Sequence, residues 1–248
     1  MFENLVAERP DKKIFVDGDR LIKLFDRNYS KSNVLNEAIN QARVEETGLN
    51  IPKIREVTVI AGNWAIVMDY INGKTLEQLM KEEPEKREKY LDLFVDIQRE
   101  IHSKKNMLLT KFNDKMTIKI LKSDLDASTR YDLSMRMADM PRHNHVCHGD
   151  FNPSNVIITP EGKHYILDWS HASQGNASAD AAKTFLIFKT SGEDDLAEDY
   201  FAKFCERSGI DEMYVKEWIP LVAAAQLIKA DARKKKILMG YINGEADL

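Results

Sequence analysis

Across roughly the first seventy residues the apolar positions fall in short runs broken by turn residues. Lys13–Val16 and Leu21–Phe25 are separated by Asp17-Gly18-Asp19, which has the composition of a hairpin turn. From Ser32 to Thr47 the period changes. Val34, Leu35, Ala38, Ile39 and Ala42 recur at helical spacing and predict one apolar helix face, with Gly48 placed where a helix end favours glycine. Val57–Ile60 and Trp64–Tyr70 flank Ala61-Gly62-Asn63 and read as a second hairpin.

Ile71-Asn72-Gly73-Lys74 is a turn, and beyond it the pattern is helical. Thr75–Lys81 and Glu88–His102 are predicted helices, the second burying Leu91, Phe94, Val95 and Ile101. A polar stretch follows, then a strand–loop–strand region from Val146 to Trp169. In the helical remainder, Leu196, Tyr200, Phe201 and Phe204 form one stripe ending at Gly209. Trp218, Leu221, Val222, Ala225 and Ala232 form another. Strands segregated ahead of helices predict an α+β fold with two lobes. The expected boundary falls near Asn72–Gly73, giving residues 1–72 and 73–248.

Composition narrows the class. Of 248 residues, 43% are hydrophobic and 31% charged, the balance of a soluble globular protein, and a net charge of −4 does not suit a nucleic-acid binder. The longest apolar patch, Ile219–Ile228, is interrupted by Gln226 and reads as a core helix rather than a membrane span. The start of the chain lacks the basic and long apolar regions of a leader, so a cytoplasmic location is expected. Cys147 and Cys205 are too few for a disulfide framework, have no metal-ligand spacing, and read as reduced buried thiols.

The chemistry concentrates in His148-Gly149-Asp150-Phe151-Asn152-Pro153-Ser154-Asn155, followed by Ile166-Leu167-Asp168-Trp169. Phosphoryl transfer needs a group that orients the attacking hydroxyl and cations that neutralise phosphate. An aspartate on a tight loop, Asp150, can accept a hydroxyl proton. Asn155 and Asp168 can supply oxygen ligands to magnesium. Val156–Ile158, the turn Pro160-Glu161-Gly162 and Tyr165–Leu167 form a hairpin that returns Asn155 and Asp168 to the same end.

This pattern, HGDFNPSN followed by LDW, resembles the signature of the aminoglycoside phosphotransferase and choline kinase superfamily. The resemblance spans about residues 5 to 240. It implies a bilobal protein-kinase-like fold, with a small antiparallel-sheet N-terminal lobe carrying one helix and a mostly helical C-terminal lobe. It implies Asp150 as catalytic base, Asn155 and Asp168 as magnesium ligands, and His148 as a support of the loop. Lys23, lone in the apolar run Leu21–Phe25, matches the lysine that holds the nucleotide phosphates, and Glu37 its partner from the following helix. Trp64–Gly73 resembles the last sheet strand and hinge, with adenine expected at the Asp69 carbonyl and the Ile71 N–H. His102 is expected to pack rather than react, and Asp180 to brace the catalytic loop or cap a helix.

One departure stands out. The family's first hairpin often carries glycine or serine, whereas this chain has Ala7-Glu8-Arg9-Pro10-Asp11-Lys12. Arg9 and Lys12 read as solvated turn charges, with phosphate contact as the alternative. The acidic residues Glu193, Asp194, Asp195, Glu198, Asp199, Asp211 and Glu212 read as solvated helix ends and faces, with a cationic acceptor pocket as the alternative.

The expected function is transfer of the γ-phosphate of ATP, with Mg2+, to a hydroxyl of a small molecule, GTP standing as an alternative donor. The competing readings are a compact atypical protein kinase and a nucleotide-binding regulatory pseudoenzyme. The expected partner is a small hydroxyl acceptor, with neither nucleic acid nor membrane, for a monomer or weak homodimer.

Overall fold

The computed structural model describes residues 4–246. The chain opens with strands β1 (Asn4–Arg9), β2 (Lys12–Asp17) and β3 (Arg20–Phe25), then helix α1 (Lys31–Glu45) and strands β4 (Ile54–Ile60) and β5 (Asn63–Asp69). Short strand β6 (Lys74–Thr75) leads into α2 (Leu76–Glu82), α3 (Arg87–Ser103), α4 (Phe112–Leu121) and α5 (Ala127–Asp139). Strands β7 (His145–Cys147), β8 (Val156–Ile158), β9 (His164–Ile166) and β10 (Ser173–Gly175) follow. Helices α6 (Ala177–Ser191), α7 (Asp194–Ser208), α8 (Glu212–Gln226) and α9 (Ala232–Asn243) complete it.

By contacts the chain forms two compact units. Among the described residues, 4–84 together with Pro153–Ala172 form the first, and Glu85–Asn152 with 173–246 form the second. Three connections therefore cross from one unit to the other, and the motif His148–Asn155 is divided by one of them, at Asn152–Pro153.

In the first unit an antiparallel sheet has the order β1-β2-β3-β5-β4. Strand alternation sorts its residues by face. Phe25, Ile66 and Met68 pack on Val34 and Ala38 of α1, while Ile22, Ala65 and Val67 form a second cluster. The β4–β5 hairpin turns through Ala61 and Gly62, both at positive φ (49° and 82°), the two-residue turn whose twist suits a hairpin. A smaller sheet, β6-β8-β9, includes the hairpin after the motif His148–Asn155. Gly73 lies against that hairpin so closely that a Cβ there would collide with the Ile158 carbonyl and the Ile157 side chain. Thr75 caps α2, accepting from Gln78 N while the Gln78 side chain accepts from Thr75 N, a reciprocal capping box.

The second unit is mostly helical, with β7 and β10 as a two-stranded sheet. Its centre is α6, which buries Ala179, Ala181, Ala182, Phe185, Leu186 and Phe188 and packs on α7, α8 and α9. Phe94 of α3 stacks on Phe151 with ring centroids 4.3 Å apart, which fixes the motif loop to this core. Among the described residues no helix is long and apolar enough to cross a membrane. Cys147 and Cys205 are free and buried, and burial pushes the Cys147 thiol well above its ordinary range.

Three sequence expectations need correction. The stretch read as polar folds into α4 and α5. In α4, Phe112, Met116 and Ile120 are buried, but Asn113 is buried beside them, and Lys115 and Lys119 are half-buried. That mixture hides the helical period. In α1 the buried face is not the apolar stripe. Leu35 and Ile39 are exposed, while Glu37, Asn40 and Gln41 are buried with Val34, Ala38 and Val44. Ala232 does not extend the stripe of α8 but starts α9, where it is exposed.

Candidate functional site

The polar face of α1 is explained by what it holds. Lys23 shares its face of β3 with Leu21 and Phe25, by the two-residue alternation, and so points at α1. Its Nζ donates to Glu37 Oε1 at 2.8 Å and lies 3.7 Å from Asp168 Oδ1. Both Lys23 and Glu37 are buried, 6% and 4% exposed, so each charge depends on the other. Burial alone would lower the Lys23 pKa, but Asp168 and Glu37 outweigh it and raise it above the ordinary lysine value. One turn along α1, Asn40 Nδ2 donates to the Ser170 carbonyl at 3.1 Å, tying the helix to the turn that follows Asp168. Gln41 Nε2 donates to the Pro52 carbonyl at 2.6 Å.

Lys12 is not a solvated turn charge. Its side chain is only 11% exposed, and its Nζ stands 3.6 Å from Glu37 Oε2. The register that pairs Lys12 with Phe25 carries it there, 5.8 Å above the Phe25 ring. Glu37 thus serves two lysines, one on each oxygen. The sequence signal was a lysine at the start of a strand two residues before Ile14, itself opposite Lys23.

Asn155 and Asp168 stand at one end of the β8–β9 hairpin. Val156 pairs with Ile166, and Leu167 N donates to the Asn155 carbonyl at 2.8 Å. Asp168 adopts a left-handed conformation (φ 57°, ψ 66°), a position uncommon for a side-chain-bearing residue and found most often at functional turns. Behind it, Trp169 is fully buried and its Nε1 donates to the Ile166 carbonyl at 3.1 Å. The oxygens of Asn155 and Asp168 are the hard donors that magnesium takes, usually few in number and completed by phosphate and water. Among the described residues no cluster of three or more His, Cys, Asp or Glu side chains offers an all-protein cage. Asp69 ends β5; its carboxylate accepts from Arg55 Nε at 2.7 Å and its N–H donates to the Lys53 carbonyl at 3.0 Å. Ile71 follows the strand, half-buried, in irregular chain before β6.

The second unit holds Asp150 and its supports. Asp180 is completely buried on the first turn of α6, where Asn176, not Asp180, caps the helix. It accepts from Gly149 N at 2.8 Å, from His148 N at 3.0 Å and pairs with His102 Nε2 at 3.0 Å. Burial pushes the Asp180 carboxyl up, and the His102 bond leads the contributions that bring it below the ordinary value. His148 Nδ1 accepts from Asp150 N at 3.2 Å, so the loop's turn is closed by its own histidine. Thr184 Oγ1 donates to the Phe151 carbonyl at 3.1 Å. Lys183, also on α6 and buried, donates to the Gly149 carbonyl. Sequence reasoning passed over Lys183. Its signal was a lysine inside an otherwise small and apolar helix, three residues after Asp180.

A family profile described as the phosphotransferase enzyme family, APH, matches residues 10–215. No curated protein matches the chain by sequence. Solved structures are similar over nearly the whole chain. A thermostable mutant of aminoglycoside phosphotransferase APH(4)-Ia is 14% identical with a TM-score of 0.69, covering 98% of this chain and 94% of its own. Choline kinase LicA from Streptococcus pneumoniae is 17% identical with a TM-score of 0.62, covering 97% and 92%. A choline/ethanolamine kinase family protein from Mesorhizobium loti is 17% identical with a TM-score of 0.58, covering 98% and 86%. The first of these proteins has also been crystallised with AMP-PNP and hygromycin B.

Proposed function

Because the chain belongs to the phosphotransferase enzyme family, we propose that it is an ATP- and magnesium-dependent kinase of a small hydroxyl compound, working in the cytoplasm. The observation that carries this reading is the ion-pair set Lys23–Glu37–Asp168, in which the buried pair Lys23–Glu37 meets the partly exposed Asp168 at a cost that a purely structural role does not require. Lys23 holds the nucleotide phosphates, and Glu37 keeps its ammonium aimed. The backbone carbonyl of Asp69 and N–H of Ile71 recognise the adenine. Asn155 and Asp168 hold the magnesium ion, which when bound neutralises charge on the phosphates. Asp150 orients the acceptor hydroxyl and takes its proton as the acceptor oxygen bonds to the γ-phosphorus. The bond from that phosphorus to the bridging oxygen breaks, and ADP leaves. The two free, buried cysteines fit a reducing compartment.

Positioned proton transfer contributes on the order of 10²–10⁴-fold to a rate. Asp150→Asn is therefore expected to lower acceptor-dependent, magnesium-dependent ADP release by about that factor while leaving the dissociation constant for AMP-PNP in place. Turnover equal to that of the unaltered chain would sink the assignment of Asp150.

A further inference from the structure

The first hairpin is poor in the backbone amides that could wrap a polyphosphate. Strands β1 and β2 pair as far as Arg9 opposite Lys12, which leaves Pro10 and Asp11 as the turn. Pro10 carries no N–H. The Asp11 carbonyl accepts from Asp26 N at 2.9 Å, so the turn is tied to the residue that follows β3. The Asp11 N–H is the one backbone donor that such a turn can offer. Successive backbone N–H groups are one way to hold phosphate, and ammonium groups are another.

The strand that leaves the turn brings an ammonium group in. Alternation along β2 puts Lys12, Ile14 and Val16 on one face and Lys13 and Phe15 on the other. Phe15 packs on Ile22, Ala65 and Val67, and Lys13 is half exposed, 2.9 Å from Glu8. Lys12 therefore lies on the α1 side of the sheet, opposite Phe25 and two residues from Ile14, the partner of Lys23. Its Nζ stands 3.6 Å from Glu37 Oε2, while Lys23 Nζ is 2.8 Å from Glu37 Oε1. Two ammonium groups thus flank one carboxylate.

The two lysines are not equally satisfied. Lys23 donates to Glu37 and has Asp168 at 3.7 Å as a second anion. For Lys12, a separation of 3.6 Å is an ion pair and not a hydrogen bond. Among the described residues no group accepts a hydrogen bond from Lys12, although its side chain is only 11% exposed. A sheltered ammonium with its donors unengaged is costly, and an anionic oxygen placed against it removes that cost. With Asp168 engaged by magnesium as proposed above, Lys12, Lys23 and Glu37 sum to one positive charge.

We propose that Lys12 is a second phosphate-binding residue, which with Lys23 grips the polyphosphate of the nucleotide by side chains where the hairpin turn lacks amides. Glu37 keeps the two ammonium groups apart, one on each oxygen. The identity of the ligand rests on the kinase reading above.

The test is binding, apart from turnover. Dissociation constants of AMP-PNP and of adenosine are measured by calorimetry on the full chain, unaltered and with Lys12→Met, Lys12→Gln, Lys12→Arg or Lys23→Met. Methionine keeps the stem beside the Phe25 ring and glutamine keeps a polar end, so either variant that still binds adenosine reports. Loss of one charge-assisted contact is expected to weaken AMP-PNP about tenfold and to leave adenosine unchanged, with Lys12→Arg recovering most of the loss. A lysine that only supports the fold would weaken both ligands together or neither, and either result overturns the proposal. AMP-PNP binding lost in Lys23→Met but unmoved in Lys12→Met would overturn it and leave the kinase reading intact. AMP-PNP that binds the unaltered chain no better than adenosine would sink the phosphate site of the kinase reading, and this proposal with it.

Discussion

Glu37 is the residue on which most of the first unit's polar interior turns, because it answers both Lys12 and Lys23. Removing one member of a buried ion pair costs more than the pair contributes, since the remaining charge stays in a low-dielectric setting. Glu37→Gln leaves two lysines facing a neutral amide, and is expected to destabilise the chain by about 3 kcal/mol, read as a lowered urea midpoint. Lys12→Met leaves Glu37 its bond to Lys23 and should cost less than half as much. A midpoint unmoved by Glu37→Gln would mean that water, not Glu37, satisfies these ammonium groups.

The half-buried lysines of α4 have a pH consequence whose sign is fixed by their direction of shift. Lys115 and Lys119 titrate near 8 in the folded chain against an ordinary value of 10.5. Above pH 8 the unfolded chain therefore holds more protons than the folded one, and stability rises with pH. The rise should be clearest between about pH 8 and 9. Beyond that, the Cys147 thiol, whose ordinary value is 9.0 and which burial pushes up, acts in the opposite sense. Urea melts at pH 8 and 9 are expected to show the gain, and Lys115→Met with Lys119→Met to flatten it. Stability that fell across this window in the unaltered chain would contradict the assignment.

At the scale of elements, legibility in the sequence followed how each helix uses its buried face. Strands β2, β3, β5, β8 and β9 and helices α1, α2 and α3 announce themselves through alternation, helical spacing and turn residues, and form within a residue or two of where the pattern predicts, whereas β4 begins three residues early, at Ile54, and β1, β6 and β10 carry no such pattern. The face of α1 is another matter. Hydrophobicity points to Leu35 and Ile39, yet the helix turns Glu37, Asn40 and Gln41 inward because each has a partner waiting: Lys23, the Ser170 carbonyl and the Pro52 carbonyl. Partners distant in sequence leave no periodic trace. Helix α4 was hidden for the same reason, since its inner side mixes Phe112, Met116 and Ile120 with lysines. In α1 one of the residues that defeat the hydrophobic pattern, Glu37, is the one proposed to aim Lys23. The motif residues Asp150, Asn155 and Asp168 are legible from spacing because one loop and one hairpin carry them all. Lys12 and Lys183 are not, because register and helix packing bring them in.

For the whole molecule, the sheet β6-β8-β9 joins chain from either side of Glu85–Asn152. Gly73 permits that join, because any side chain there meets Ile157 and Ile158. Gly73→Ala is expected to cost about 1–3 kcal/mol through overpacking and to expose the β8 amides to hydrogen exchange before those of β3. Equal protection in both strands, with an unchanged melting midpoint, would show that the hairpin shifts to make room.

The placement of Pro153–Ala172 in the first unit sets an order on synthesis. The sheet that carries Lys23 and the helix that carries Glu37 leave the ribosome early, but Asp168 and the hairpin whose β8 pairs with β6 arrive only after all of Glu85–Asn152 has been made. At roughly 5–20 residues per second, that leaves an interval of several seconds. Through it, the unit begun first waits, with two lysines gathered about one carboxylate, for a segment that the chain reaches only from the middle of the other.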